Sequence, residues 1–417
     1  MLNRELRKIH GSALSVLVST TLAISGQSHV LADEAELRNE IELLKSRLLQ
    51  LEARLSQPAV PASSGSEPAG KVPVASSNFG DIDAEFMGSG SGGGAAAWYE
   101  RTSLGGYGEM HLNLGDKDEI DFHRWVLFVD HEFNERFRLV SELELEHSIA
   151  GDGQNGEFEL EQAYIEATFD NGWSGKGGLF LMPIGILNET HEPNTFFGTE
   201  RNPIEREIIP STWWEGGLQV SKKTDQGLLW DAAFHSGLAV PSSGGNAFRI
   251  RSGRQKVSEA DASEWAATTR VRYTGIPGFE VGGSAQYQSD ITPGRGEKNV
   301  AVLGEAHIDI RKGGFGLRAL GGYWDIGGAS PVSMGLDSQW GFYIEPSYTF
   351  SIGESSRLGV FGRYNQLEVA AGDIEQWDTG VNFWPADNIV LKADYSRIES
   401  AGASAEDVIN FGIGYQF

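Results

Sequence analysis

From Trp98 to Phe417 apolar and polar residues alternate with a period of two, the pattern of strands that present one apolar face. Sixteen such segments are expected, starting near Thr102, Glu119, Glu135, Phe158, Lys176, Trp213, Gly227, Glu264, Phe279, Asn299, Phe315, Gln339, Arg357, Ile374, Ile389 and Asp407. In the third, Phe137, Leu139, Leu143 and Leu145 lie opposite Arg136, Arg138, Glu142, Glu144 and Glu146. In the eighth, Trp265, Val271 and Tyr273 oppose Glu264, Arg270 and Arg272, and in the fifteenth Ile389, Leu391 and Tyr395 oppose Lys392 and Asp394.

The connections alternate in length. Glu132–Asn134, Lys223–Gln226, Gly275–Gly278, Lys312–Gly314 and Pro385–Asn388 are short, whereas Gly185–Thr212, Ser236–Ser263, Asp325–Ser338, Gln366–Asp373 and Ile398–Glu406 are long. Short turns at one end and long loops at the other predict an all-β chain, a 16-stranded antiparallel transmembrane β-barrel over 98–417. The last strand agrees: Ile409, Phe411, Ile413, Tyr415 and Phe417 share one face and the chain closes on an aromatic residue. Tyr415 and Phe417 are the expected signal for the machinery that inserts such barrels.

Ahead of the barrel the pattern is different. Arg4, Arg7 and Lys8 precede an apolar stretch from Ala13 to Ile24 and the tripeptide Val30-Leu31-Ala32, which predicts a signal peptide over 1–32. The stretch is shorter than the about 20 residues a spanning helix needs. Leu37, Ile41, Leu44, Leu48, Leu51 and Leu55 then recur at alternating spacings of four and three, the seam of a short periplasmic coiled-coil helix over 33–56. A Pro-, Ser-, Ala- and Gly-rich flexible linker is expected over 57–97.

Composition narrows the function. The 417-residue chain has no Cys and a formal charge of −25, which excludes disulfide and Cys-metal scaffolds and disfavours a nucleic-acid partner, since phosphate binding needs clustered cations. No nucleophile elbow, HExxH or Walker loop is present and the nine His are scattered. An enzyme is not expected, nor a cofactor or a metal.

Sixteen strands enclose a lumen too wide for wall side chains to fill, so a pore is the natural function and something must narrow it. The third external loop, 185–212, carries Glu189, His191, Glu192, Glu200, Arg201, Glu205, Arg206 and Glu207 beside Phe196, Phe197, Ile208 and Ile209. An inward fold against the wall is expected, with Glu189, His191, Glu192, Arg201, Glu205, Arg206 and Glu207 at the constriction. Strand parity directs Arg124, Arg136, Arg138, Glu142, Glu144, Glu146, Arg270, Arg272, Glu305, Arg318, Arg363 and Lys392 to the lumen, because a charge facing hydrocarbon at mid-depth costs about 2–4 kcal/mol. Opposed Arg and carboxylate rows there would set ion selectivity. Arg249, Arg251, Arg254 and Lys256 form a basic cluster in a later loop, suited to anions or to lipopolysaccharide phosphates.

Several segments together resemble the trimeric outer-membrane porins, and among them the phosphate-selective porin O and P family: Phe122-His123-Arg124, Phe133-Asn134-Glu135-Arg136-Phe137-Arg138, Glu161-Gln162-Ala163-Tyr164-Ile165 and Gly178 through Gly185. The resemblance covers 98–417. It implies a homotrimeric passive channel of the Gram-negative cell envelope, with a constriction loop and, in some members, an N-terminal coiled coil. Expected partners are outer-membrane lipids and lipopolysaccharide, two further copies, the barrel assembly machinery, and small hydrophilic solutes or ions. Passive diffusion is the leading function, a phosphate- or anion-selective porin the alternative, and a non-conducting structural tether a further one. No Lys cluster lies in the expected lumen to match a phosphate route.

Overall fold

The computed structural model describes residues 98–353 and 355–417. The expected signal peptide, coiled coil and linker lie outside the described residues. Sixteen strands are present: β1 Thr102–Leu114, β2 Glu119–Glu132, β3 Phe137–Glu146, β4 Phe158–Thr168, β5 Trp173–Leu181, β6 Trp214–Lys223, β7 Leu228–His235 and β8 Ala266–Ile276. They continue as β9 Phe279–Gln288, β10 Ala301–Lys312, β11 Phe315–Ile326, β12 Ser338–Ile352, β13 Ser356–Val369, β14 Gly372–Ala386, β15 Ile389–Ser400 and β16 Glu406–Gln416. Each pairs antiparallel with its sequence neighbours, and β1 pairs with β16 to close the barrel. Reciprocal backbone bonds between Gly106 and Phe417 finish the seam at 2.9 and 3.0 Å.

The period-two pattern sorts side chains as the sequence predicts. Leu104, Leu218, Phe234, Val271, Ile344 and Phe411 are exposed on the outer face, an apolar belt that only a lipid environment covers. Aromatics rim it at both ends. At the long-loop end, Trp340, Phe342, Tyr364 and Trp377 form a chain with centroid spacings of 6.3, 6.0 and 4.5 Å. At the short-turn end stand the pairs Trp173–Trp230 and Tyr348–Phe350. Such girdles sit where an apolar ring and a polar tip meet the two interfaces.

Short turns join β2–β3, β4–β5, β6–β7, β8–β9, β10–β11, β12–β13 and β14–β15. In the β8–β9 turn Gly278 has φ +74° and a Cβ there would lie 2.0 Å from the Arg311 carbonyl oxygen, so only glycine fits. The long connections include L3, residues 182–213 between β5 and β6, and L4, residues 236–265 between β7 and β8. L3 holds a 3-10 turn, Pro193–Thr195, and one α-helical turn, α1, Ile204–Glu207.

The buried apolar core lies inside the barrel. Ile184, Ile204, Ile208 and Ile209 of L3 meet Leu238, Val240, Phe248 and Ile250 of L4 and the wall residues Phe180, Leu303, Leu320, Trp324, Tyr343 and Leu367. These wall positions hold apolar residues on what is otherwise a polar inner face, because two loops seat there.

Candidate functional site

L3 runs round the inner wall. Its stem is closed by Asn188, whose side-chain amide donates to the carbonyls of Met182 and Trp213 at 2.8 and 2.9 Å and whose Oδ1 accepts from the Trp213 amide at 2.8 Å. Glu189 reaches the β8 guanidinium of Arg270, which also holds Asp231 at 2.9 Å. His191 lies against Glu142 of β3 and Glu161 of β4. The loop then descends to the short-turn end, where Asn194 donates to Gln416 Oε1 at 3.1 Å and to the Asp387 carbonyl at 3.3 Å. It climbs past β13 and β12, and the Trp324 indole caps the Ile208 carbonyl at 2.9 Å.

Along this path the wall cations donate to loop carbonyls. Arg124 donates to His191 O at 2.7 Å, Arg318 to Thr195 O at 2.8 Å, Arg363 to Phe197 O at 3.2 Å, and Lys392 to Gly198 O at 2.7 Å. Carboxylates hold each guanidinium in aim: Glu109 for Arg124 at 2.6 Å, Asp309 for Arg318 at 2.8 Å, and Asp378 with Glu345 for Arg363 at 2.9 and 3.0 Å. Asp394 in turn accepts from the Thr199 amide and hydroxyl, both at 2.7 Å. Charge-assisted bonds of this kind are the stronger class. Their repetition fixes the loop over most of its length.

Where the loop comes nearest, the wall is glycine. A Cβ at Gly414 would lie 2.4 Å from Pro193, one at Gly359 2.6 Å from Phe197, and one at Gly322 2.9 Å from Ile208. Phe197 fills the space over Gly359, stacked on Phe361 at 5.4 Å and edge-on to Trp384 at 5.8 Å.

The residues expected at the constriction are distributed unequally. Glu189 and Glu192 are half-buried on the loop, and His191 is buried. Glu205 is fully buried: Oε2 accepts from the amides of Ile186 and Leu187 at 2.9 and 2.5 Å, and Oε1 from Tyr343 at 2.9 Å. Burial pushes its carboxyl above the usual range although those donors pull it down. Glu207 takes a bidentate contact from Arg249 of L4 at 3.0–3.1 Å. Arg201 is half-buried and Arg206 exposed.

The expected lumen residues divide likewise. Arg124, Glu142, Glu144, Arg270, Glu305, Arg318, Arg363 and Lys392 are buried inside the barrel. Arg138 pairs with Glu166 at 2.5 Å and Arg272 with Glu280 at 3.6 Å toward the short-turn end. Glu146 is half-buried at the end of β3. Arg136 is not on the wall: β3 starts at Phe137, and Arg136 is an exposed turn residue whose amide bonds Asn134 Oδ1 at 2.9 Å. Nor does the basic cluster of L4 present itself as a free patch. Arg251 donates to the carbonyls of Arg206 and Ser211, Arg254 to Thr212 O, and Lys256 contacts Glu157 and Glu159.

Glu161 was outside the expected set. The β3–β4 register shifts at Glu142/Leu143, and the bulge turns Gln162 inward beside Glu161. Alternation with Phe158 and Leu160 puts Glu161 on the inner face and hides only its neighbour Gln162, whereas no alternation marks Asn188, whose three bonds lie within a loop.

No family model matches the chain. A protein of Aquifex aeolicus (strain VF5), described as uncharacterized, is 28% identical over 351 residues, 76% of this chain and 80% of its own length. Similar solved structures include the anion-selective porin of Comamonas acidovorans, at TM-score 0.54 and 10% identity over 76% of this chain and 99% of that one. They also include OmpT of Vibrio cholerae, folded in vitro and described as a trimer form, at TM-score 0.50 and 10% identity over the same shares. At these identities the likeness is one of fold: a porin-type barrel.

Proposed function

We propose that the chain is an outer-membrane diffusion channel for small hydrophilic solutes and ions, with L3 as its constriction. The observation that carries this reading is the cation-to-carbonyl latch of L3: a barrel too wide for its own wall to fill is narrowed by a loop that Arg124, Arg318, Arg363 and Lys392 hold in place. On this reading the long loops face outside, and the short turns and the N-terminal segment face the periplasm. The homotrimer suggested by the sequence draws support from the trimeric form of OmpT, and the terminal Tyr415 and Phe417 remain the expected assembly signal.

Selectivity for cations over anions is favoured. The chain carries a charge of −25, and Arg124, Arg270, Arg318 and Arg363 are each neutralised by carboxylates. A phosphate route needs unspent cations, whereas Arg124, Arg270, Arg318, Arg363 and Lys392 are committed to L3 and its struts, leaving Arg201 of L3, whose Nη1 has no hydrogen-bond partner. Binding of lipopolysaccharide phosphates by the L4 cluster is disfavoured for the same reason.

Planar-bilayer recording of the folded chain under a KCl gradient tests the proposal. Current in steps of three with a cation-selective reversal potential is expected. Anion preference with block by added phosphate would replace it with the phosphate-channel reading. No current from folded, heat-modifiable protein would leave the structural tether.

A further inference from the structure

Two wall carboxylates and one side chain of L3 are arranged around an unfilled role. His191 Nδ1 lies 3.2 Å from the Asn188 carbonyl, which can only accept, so Nδ1 carries a proton and donates. Nε2 therefore turns toward Glu142 Oε1 at 3.7 Å and Glu161 Oε2 at 3.4 Å. All three residues are at least nine-tenths buried, and none of these three atoms, nor Glu161 Oε1, has a hydrogen-bond partner. Gln162 satisfies only the other oxygen of Glu142, at 2.7 Å. The adjacent guanidinium of Arg124 is committed to Glu109, to Tyr107 and to the His191 carbonyl. Two buried carboxylates thus face an imidazole nitrogen with nothing of positive charge fixed between them, an arrangement that burial penalises heavily.

The spacings identify what fits. A proton shared between nitrogen and oxygen draws them to about 2.7–3.2 Å. Two ligands at about 2.0–2.2 Å from a tetrahedral metal stand about 3.3–3.5 Å apart, which is the separation seen from His191 to Glu161 and is close to that from His191 to Glu142. The Nδ1–H to carbonyl bond is also the usual way a metal-binding imidazole is oriented by its second nitrogen.

We propose that Glu142, Glu161 and His191 form a site for a first-row divalent cation of the zinc class, with water completing the coordination. The single imidazole and the small number of protein donors favour such an ion over calcium or magnesium, which take oxygen-rich shells. Two carboxylates and one dication sum to zero, so the ion balances its own ligands, while Glu144 beside them faces Arg124 Nη1 at 3.7 Å. It also ties L3 to β3 and β4, away from the Arg363 and Lys392 latches on β13 and β15. The inference does not rest on the channel reading, because it is read from bound metal and not from current.

The full-length folded protein in detergent is stripped with chelator, reloaded with Zn2+, dialysed and assayed for metal, beside His191→Gln and Glu161→Gln. Wild type is expected to retain one equivalent more per chain than either variant of native heat-modifiable migration. Zinc X-ray absorption on loaded wild type supplies a second reading that needs no variant: imidazole scattering within an N/O shell is expected. Equal retention in wild type and folded variants, or a shell without imidazole, overturns the proposal and leaves an imidazolium between two carboxylates.

Discussion

Lys392 on β15 sets its ammonium 2.7 Å from the Gly198 carbonyl oxygen of L3 and 3.6 Å from the centroid of the neighbouring Phe196 ring. One buried cation thereby serves as hydrogen-bond donor and as cation–π partner to consecutive turns of the same loop. Lys392→Met keeps the stem and removes both interactions. Losing a charged hydrogen bond costs about 1.5–3 kcal/mol, which raises the detached population of this stretch roughly 10–100-fold. Noisier open-channel current with a higher mean conductance is expected; currents as quiet as wild type would show that the latch does not hold the loop.

Gly414→Ala tests the close approach of loop and wall. The new methyl would lie 2.4 Å from Pro193 Cβ and 2.7 Å from its Cγ. Pro193 is ring-constrained and must move as a unit, so a loss of about 1–3 kcal/mol is expected in urea unfolding. Gly304→Ala on β10, with nothing within 4 Å of its Cβ, should stay within about 0.5 kcal/mol of wild type. Equal stabilities for the two variants would contradict the packing described.

Asn188→Ala removes the clamp at the loop stem and leaves the Met182 carbonyl and both Trp213 backbone groups without that partner. The Met182 and Trp213 carbonyls keep the amides of Ile184 and Met182, so the orphaned group is the Trp213 N–H, at about 1–3 kcal/mol. The expected result is cleavage within 182–213 by a protease that spares wild type, with the barrel itself still migrating as folded.

Glu205 gives a pH signature. Burial raises its folded carboxyl above the ordinary value, so the folded loop holds this proton more tightly than the unfolded chain does. The stability this contributes is complete below about pH 4.3, the unfolded value, and is lost as pH rises through the raised folded value. Glu205→Gln should therefore flatten this part of the pH–stability curve, whereas Glu205→Ala should lower it throughout by abandoning the amides of Ile186 and Leu187. A Gln variant with the full wild-type pH dependence would assign that dependence to another group.

Much of the barrel was legible because its constraint is local. β1, β2, β4, β9, β11 and β15 start where the alternation places them, since facing lipid or lumen decides each residue by parity. β5 starts at Trp173, ahead of the expected Lys176, because Ser174 and Gly175 carry no apolar signal. Arg136 was misplaced for a related reason, as alternation runs on through a turn without marking it. Parity also finds Arg124, Arg318, Arg363 and Lys392, yet not their use. The carbonyls they hold lie 67, 123, 166 and 194 residues away, and backbone acceptors have no residue identity to read. Glu161 lies opposite Phe158 and Leu160 by alternation, but its place beside the inward Gln162 needs the bulge, a property of two paired strands and not of one.

The course of L3 also bears on the order of assembly. Asn194 bonds Gln416 across 222 residues, and Thr199, Phe197 and Gly198 rest on Asp394, Arg363 and Lys392, all on the last four strands of the chain. Contacts of such sequence separation form late. The narrowing loop has no complete seat until β13–β16 are in place, so barrel closure and constriction become one kinetic event. Truncation inside β16 would then yield an unsealed wall and an unplugged lumen together, and quality control acting on the last strand would screen for both defects at once.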